Sequence, residues 1–234
     1  MYPYCTIEDV EIILLQGAQG GMVYTDDTRP TRSQVREIID RISASLRSIV
    51  SDAGYDVDNL HGVSTTASQA ITAGSDVDVD VGDSSGFSVG DTVKLEGLDN
   101  GIRVYEFCKI KNISNNIITL DNVDNDYDIG CKIIKVNTAL KILRDICMKG
   151  AAAEVDQISF MGISPVKPER AKELWAQYWG SENMPCGIWA IRNIANYLEG
   201  ATRTTKSVKK ISISSYGSEN PDDINEWITI DKEF

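Results

Sequence analysis

Histidine is almost absent from this 234-residue chain, and cysteine is sparse. The one histidine is His61, and no two of the five cysteines have CxxC spacing. Structural zinc sites need cysteine and histidine ligands at such spacings, so we expect no bound metal. The cysteines are scattered and odd in number, which indicates free thiols in a reducing compartment. They are Cys5, Cys108, Cys131, Cys147 and Cys186.

Motifs that identify enzymes are also missing. The chain has no Walker loop, no GxSxG or HExxH sequence, and no GxGxxG after a strand-like segment. Acid–base catalysis by histidine would depend on His61 alone, and nothing in the sequence pairs it with an acid or a nucleophile. Carboxylates are abundant, but none stands in the apolar setting that marks a tuned general acid. We therefore expect no catalytic residue, no cofactor and no enzymatic activity.

A basic excess and long apolar runs are both lacking. The formal net charge is −12, which argues against a protein that binds nucleic acid through its phosphates. This charge is compatible with a surface past which DNA moves without sticking. Apolar runs such as residues 12–15 are too short to span a bilayer, and the N-terminus does not resemble a signal peptide. We expect a protein that is made and used in a cytoplasm, without membrane contact.

The clearest element that is present covers residues 31–55. Apolar residues recur there at steps of three and four, which predicts one apolar stripe on an α-helix. Thr31 can cap the start with Gln34 as the return half of a capping box, and Gly54 can end the helix. Such a helix is marginal alone in water, so it needs a partner surface. The stripe consists of Val35, Ile38, Ile39, Ile42, Leu46, Ile49 and Val50.

Helical spacing also recurs at residues 2–16, 138–162, 164–180 and 186–200. Thr6 is the expected N-cap of the first of these helices. Gly150 precedes three alanines, and small residues at this point predict a close helix–helix crossing. The aromatic residues of the last two segments are expected in the core. They are Trp175, Tyr178, Trp179 and Trp189.

Residues 74–136 follow a different pattern, in which apolar and polar residues alternate and tight turns recur. Asp76, Asp78 and Asp80 could suggest a calcium-binding loop. The sixth and twelfth positions of such a loop would be Val81 and Phe87, where a glycine and a glutamate are needed. We therefore interpret the acidic residues as the solvated face of a strand. The series of short strands predicts a small antiparallel barrel or sandwich.

The order of these segments predicts the domain organisation. We expect a mainly α fold in which residues 1–73 and 137–200 form one helical bundle. The small antiparallel β-barrel or sandwich domain, residues 74–136, is inserted between them, because insertions are tolerated where two chain ends lie close together at a surface. Residues 201–234 form an extended C-terminal tail.

The tail is polarised in charge. Residues 201–216 carry four basic and no acidic residues, whereas residues 217–234 carry six acidic and one basic. Such a segment rarely packs in a core, so we interpret it as ordering on a partner; the alternative is that it folds back on its own domain. The candidate contact residues are Lys206, Lys209, Lys210, Trp227 and Ile228.

Two helical segments and the β module together carry a family likeness. From Thr31 the chain reads T-x-S-Q-V-x-x-I-I-D-x-x-S-A-x-L, and from Leu140 it reads L-K-I-L-x-D-I-C-x-K-G-A-A-A-E-V-D. The β module contains D-V-G-D-S-S-G-F-S-V-G-D-T-V, which is similar to a small domain found in some members of the family. As a pattern of elements over residues 1–200, the chain resembles the head–tail connector, or portal adaptor, proteins of tailed bacteriophages.

The resemblance implies a structural virion protein at the head–tail junction, assembled in the host cytoplasm and used in genome packaging and ejection. Family members form a homo-oligomeric ring, expected to be twelvefold, that binds the portal protein. The ring extends the channel through which DNA passes without sequence recognition. Its other face meets a tail completion or terminator protein, or the next ring on the tail side. The tail of this chain would reach the portal.

Charges of both signs on the helix at residues 31–55 suit a contact between neighbours in a ring, although solvated charges are the ordinary interpretation. Two other hypotheses stay open. The chain could be a non-catalytic cytoplasmic interaction module whose β domain binds a protein or a glycan, or an enzyme with an unrecognised site. The candidate inter-subunit residues are Arg36, Glu37, Asp40, Arg41 and Arg47.

Overall fold

The computed structural model describes residues 2–15, 23–60, 62–160 and 169–201 of the chain. Within these ranges there are five α-helices and six β-strands. The strands are consecutive in the chain and lie between the second and third helices. The helices are α1 (Ile7–Leu15), α2 (Arg32–Asp52), α3 (Thr138–Phe160), α4 (Glu169–Trp179) and α5 (Gly187–Asn193).

All six strands belong to one antiparallel sheet with the order β1-β6-β3-β4-β5-β2. The two edge strands also meet, because an isolated bridge joins Ala67, just after β1, to Val81, just after β2. The Ser68 N–H donates to the Asp80 carbonyl at 2.8 Å, so these edges are hydrogen-bonded to each other. The strands are β1 (Ser64–Thr66), β2 (Gly74–Asp80), β3 (Thr92–Asp99), β4 (Ile102–Ser114), β5 (Ile117–Val123) and β6 (Lys132–Lys135).

Helix α2 begins and ends where the sequence predicts. The Gln34 N–H donates to the Thr31 hydroxyl at 3.3 Å, and the Thr31 N–H donates to Gln34 Oε1 at 3.0 Å, which completes the capping box. Gly54, just beyond the helix, has a φ of +84°, a conformation that favours glycine. Every residue of the predicted apolar stripe is buried. The partner surface that the stripe needs is therefore the chain's own helical core.

A close crossing between α3 and α4 lies at Gly150, as predicted. A Cβ atom at this position would be 2.6 Å from the ring of Tyr178 and 3.2 Å from the side chain of Ile42. Alanines 151–153 that follow are fully buried. Small residues here allow α4 to pack directly on α3 next to α2.

The hydrophobic side chains form two buried clusters, one among the helices and one inside the sheet. In β2 the aspartates are exposed while Val79 is buried, which confirms the interpretation of Asp76, Asp78 and Asp80 as a solvated strand face. The sheet cluster also includes Ala67 and Ile71, which precede residue 74. The sheet unit therefore begins at β1, ahead of the boundary expected from the alternating pattern.

The expectation of a mainly α fold is wrong. With five helices and a six-stranded antiparallel sheet in the described ranges, the fold is mixed α/β. Two physical reasons account for the error. Strand β1 has three residues and depends on pairing with β6, which is distant in sequence. Helix α5 ends at Asn193, where the chain turns, although the apolar spacing extends further.

Candidate functional site

The helical part and the sheet meet along residues 2–6, an irregular segment that precedes α1. The Tyr2 hydroxyl donates to the Gly97 carbonyl of β3 at 2.8 Å. The Tyr105 hydroxyl of β4 donates to the Cys5 carbonyl at 3.0 Å. Each of these hydrogen bonds runs from a tyrosine side chain to a backbone carbonyl on the other side of the junction. They also fix the sheet relative to the first helix.

Lys94 of β3 is buried at this junction, with 6% of its side chain exposed. Its ammonium donates to the Pro3 carbonyl and to Glu96 Oε1, both at 2.6 Å, and lies 5.5 Å from the centre of the Tyr105 ring. Burial lowers the pKa of Lys94, and the Glu96 carboxylate opposes this shift. Because all of these partners hold the ammonium in place, the geometry indicates a structural lysine rather than a nucleophile.

A cleft of about 760 Å³ opens beside this junction, between α1 and α2 on one side and β4 on the other. We call it the α2–β4 cleft. Its charged walls carry three arginines and four carboxylates, which are Arg32, Arg36, Arg103, Glu8, Asp40, Glu106 and Asp124. Its apolar surface comes from side chains that include Ile102. The cleft therefore combines an open concave surface with charged groups and apolar patches.

The α2–β4 cleft holds charges of both signs and has no excess of positive charge. Arg32 donates to Glu8 on α1 at 2.8 Å and is thereby neutralised. Neither Arg36 nor Arg103 forms a direct ion pair with any residue in the described ranges. Burial raises the pKa of Asp40, and the positive charges of Arg36 and Arg103 oppose that rise.

The structure separates the five candidate inter-subunit residues of α2 into three groups. Arg36 and Asp40 line the α2–β4 cleft. Glu37 is exposed on the outer face of the helix. Arg41 forms an ion pair with Glu154 of α3, and Arg47 forms one with Asp58, so both are already engaged within the chain. Exposed pairs of this kind contribute little to stability.

The candidate residues of the tail lie outside the described ranges, as does His61. They are Lys206, Lys209, Lys210, Trp227 and Ile228.

Sequence reasoning missed Glu106 of β4, a buried carboxylate beside the α2–β4 cleft. Its oxygens accept hydrogen bonds from the N–H groups of Asp124 and Asn125, at 2.7 and 3.1 Å, and from the Tyr127 hydroxyl at 2.8 Å. Burial and the Glu106 carboxylate raise the pKa of Tyr127. A signal was present in the sequence, because Glu106 shares the period-two phase of the buried Cys108. Its partners explain it as an anchor for the β5–β6 loop.

The aromatic cluster is only partly core, which corrects the expectation for Trp179. Tyr178 is buried, but Trp179 at the end of α4 is 51% exposed. The ring of Trp179 stacks on that of Trp175 with a centroid separation of 6.4 Å. Met184, in the turn that follows, is also exposed. We call residues 179–186 the α4–α5 corner.

Two glycines fix the shape of the α4–α5 corner. Gly180 has a φ of +64°, and a Cβ atom there would meet the Cys186 carbonyl oxygen at 1.9 Å. Gly187 has a φ of +58°, and a Cβ atom there would meet the Tyr178 carbonyl oxygen at 2.1 Å. Only glycine fits either position. The corner is therefore a tightly packed turn that presents an aromatic side chain to solvent.

In the described part of the chain, no three His, Cys, Asp or Glu side chains are grouped so that they could hold a metal ion. The helices of the same ranges also lack the length and apolar content needed to cross a membrane.

Comparisons with known proteins identify no family for this chain. No protein-family model matches it, and no curated protein matches it. Among solved structures, a tailspike of Acinetobacter baumannii bacteriophage AP22, in complex with a capsular saccharide, matches 30% of this chain and 14% of its own at 21% identity and a TM-score of 0.26. The gp49 tailspike of Pseudomonas phage LKA1 matches 31% of this chain and 14% of its own at 23% identity and a TM-score of 0.23.

Proposed function

We propose that the chain is a structural subunit of a ring at the head–tail junction of a tailed bacteriophage. In this role it binds the portal protein on one side and a tail-side protein on the other. DNA passes through the ring without sequence recognition. The role is non-catalytic and requires no cofactor.

The observation that carries this proposal is the contact between the two helical segments on which the family resemblance depends. Those segments fall on α2 and α3, and they pack side by side. The Ser43 hydroxyl lies 3.2 Å from the Cys147 sulfur, and Arg41 is paired with Glu154. Two sequence motifs that resemble one family thus form one structural unit, as expected if they are inherited together.

The distribution of charge also supports the proposal. Part of the chain's excess negative charge lies on the exposed aspartates of β2, on a solvated face of the sheet. Carboxylates repel phosphates, so such a surface suits a protein past which DNA must move. On a protein that held DNA in place, the same residues would weaken binding.

Mass spectrometry of purified particles tests the proposal directly. We expect the chain in every mature particle in a fixed ratio to the portal protein, with its density at the portal vertex in cryo-electron microscopy. Particles blocked before head–tail joining provide the matched control for the order of assembly. Absence of the chain from purified particles would contradict the proposal.

A further inference from the structure

We propose that Cys5 and Cys147 form a redox pair, which a hydroperoxide converts into a disulfide that joins residues 2–6 to α3. The Cys5 sulfur lies 3.3 Å from the Cys147 sulfur, although 142 positions separate the two residues in the chain. Both are free thiols that are fully buried in the helical core. The pair lies within one chain, so the inference does not depend on the proposed ring function.

The two sulfur atoms are close enough for a bond to form after small movements. A disulfide has a sulfur–sulfur distance of about 2.05 Å, so the atoms must approach by a little more than 1 Å. Cys5 precedes α1, in a segment that lies outside every helix and strand. The approach can therefore be made by Cys5 without displacing α3.

The surroundings of Cys147 suit an attacking thiolate. The Cys5 thiol donates to the Cys147 sulfur, and the Ser43 hydroxyl lies 3.2 Å from the same sulfur. Because the Tyr4 N–H donates to the Ser43 oxygen at 3.1 Å, the hydroxyl hydrogen of Ser43 is left for Cys147. Burial raises the pKa of Cys147, but the hydrogen bonds from Cys5 and Ser43 outweigh burial and lower this pKa overall. Burial raises the pKa of Cys5, which keeps its proton and serves as the second thiol.

The α2–β4 cleft brings small reagents close to the pair. Ser43 lines this cleft, and so does Pro3, two residues before Cys5. A molecule in the cleft is thus separated from the Cys147 sulfur by the Ser43 side chain. Local opening of residues 2–6 completes the path. A hydroperoxide is small enough for this route, whereas a bulky disulfide would need a larger opening.

The reaction has two steps. The Cys147 thiolate attacks one oxygen of hydrogen peroxide, so that a sulfur–oxygen bond forms and the oxygen–oxygen bond breaks; the hydroxide that leaves takes up the proton that Cys147 released. The Cys5 thiol then attacks the sulfur of this sulfenic acid. A sulfur–sulfur bond forms, the sulfur–oxygen bond breaks, and the hydroxyl group leaves with the Cys5 proton as water. Two thiols are oxidised, and one peroxide is reduced to two water molecules.

The other three cysteines lack these features. None of them has a hydrogen bond to another sulfur within the described part of the chain. Burial raises the pKa of Cys108 and of Cys131, and the Glu106 carboxylate adds to both shifts. Cys186 donates to the Gln177 carbonyl at 3.4 Å. Oxidation should therefore select the one pair.

The disulfide would fasten the junction between the helices and the sheet. Residues 2–6 carry the Pro3 and Cys5 carbonyls, which accept hydrogen bonds from Lys94 and Tyr105 of the sheet. The bond also closes a chain loop that contains α1, α2 and all six strands. Closing a long loop restricts the unfolded chain, so we expect oxidation to raise the urea midpoint by about 1 M.

Counting thiols on the folded full chain tests the inference. The chain is treated with hydrogen peroxide and then unfolded with excess N-ethylmaleimide, and its intact mass is measured. We expect three alkylated cysteines instead of the five in the sequence, and a cross-linked peptide that contains Cys5 and Cys147. Dithiothreitol should restore all five thiols. The matched control is Cys186→Ser, which should form the same bond as the parent chain.

Two further variants separate the steps. In Cys5→Ser the reaction should stop at the sulfenic acid, which dimedone captures on Cys147. In Cys147→Ser neither the bond nor an adduct on Cys5 should form. Circular dichroism and urea unfolding establish that both variants are folded. Five free thiols in the treated parent chain, a bond between other cysteines, a bond that forms only in urea, or an unchanged urea midpoint of the oxidised chain would each overturn the inference.

Discussion

Arg144 of α3 forms two hydrogen bonds to the carboxylate of Asp9 on α1, at 2.9 and 2.6 Å. Its guanidinium also lies 3.7 Å from the centre of the Phe107 ring on β4. One side chain thus joins two helices and the sheet. Asp9 has a second role, because its carboxylate accepts the Thr6 N–H at 3.0 Å at the start of α1. The Arg144–Asp9 pair therefore links the N-terminal cap of α1 to the packing of α3 against the sheet.

Replacing Arg144 with methionine should destabilise the fold. The substitution leaves Asp9, whose side chain is 7% exposed, as a nearly buried carboxylate without its cation. We expect the free energy of unfolding to fall by about 2 kcal/mol or more, because an unpaired buried charge is costly. Urea unfolding measures the change. Arg41→Met is the control. The ion pair of Arg41 with Glu154 is surface-exposed, so its loss should lower the free energy of unfolding by less than about 1 kcal/mol.

An unchanged unfolding free energy for Arg144→Met would contradict this account of the junction. A loss of similar size in Arg41→Met would show that general effects of removing a positive charge explain the result.

The same junction shows why only part of the fold could be predicted. Helix α2 was accessible from sequence because its signals are local: the Thr31–Gln34 capping box and the apolar stripe lie within the helix itself. The contacts of Arg144 with Asp9 join residues 135 positions apart. Lys94 and Pro3 are 91 positions apart. No periodic pattern encodes such pairings, so the extent of the sheet and its attachment to the helices were missed.

The candidate site could also be predicted only in part, because it depends on contacts between residues that are distant in sequence. The charges of α2 were identified, but their grouping was not, because the α2–β4 cleft forms only when β4 lies beside α2. Arg103 was not singled out at all. The exposure of Trp179 was also missed, since a tryptophan at helical spacing is ordinarily core. The position of the α4–α5 turn decides its exposure, and that turn depends on glycine conformations at two positions.

Gly150→Ala should destabilise the fold even though alanine is the better helix former. The added methyl group would lie 2.6 Å from the Tyr178 ring, so α3 and α4 must move apart. Overpacking should lower the free energy of unfolding by about 2 kcal/mol, and the higher helix propensity of alanine should raise it by about 1 kcal/mol. We therefore expect a net decrease of about 1 kcal/mol. Thermal and urea unfolding measure it. Gly82→Ala is the control, because no atom lies within 4 Å of its added methyl group.

A stability of Gly150→Ala equal to that of the parent chain would mean that the helix crossing is looser than described. A comparable loss in Gly82→Ala would instead point to a general effect of replacing glycine.

Asp156→Asn should stabilise the protein near neutral pH. Asp156 of α3 is 8% exposed, and its Oδ2 has no hydrogen-bond partner in the described ranges. Burial raises its pKa above 3.8, and Arg170 opposes that rise. The unfolded chain therefore loses this proton at lower pH than the folded chain, so wild-type stability falls as pH rises from 3.8 through the folded pKa. We expect the substitution to add about 1 kcal/mol at pH 7.

The pH dependence distinguishes this mechanism from a general reduction of negative charge. Below pH 3.8 the Asp156 carboxyl is protonated in both states, so the advantage of asparagine should disappear. Urea unfolding at several pH values measures this. Asp128→Asn, at an exposed position, removes the same charge without the burial and should give a smaller gain. A gain that persists at low pH, or an equal gain in Asp128→Asn, would contradict the prediction.

Truncation after Ala201 tests whether the charged tail connects the chain to a partner. The last described contact of the helical part is the Ala201 N–H, which donates to the Leu198 carbonyl at 3.1 Å, so the truncation keeps every contact within the described ranges. We expect an unchanged urea midpoint and a loss of incorporation into particles, measured by mass spectrometry against the portal protein. Replacing Trp227 with alanine in the full chain is the finer variant, because a tryptophan flanked by isoleucines in an acidic segment is a candidate anchor for a partner's pocket. Normal incorporation of the truncated chain would show that the portal is bound by the folded part, and the exposed face of α2 would then be the next surface to vary.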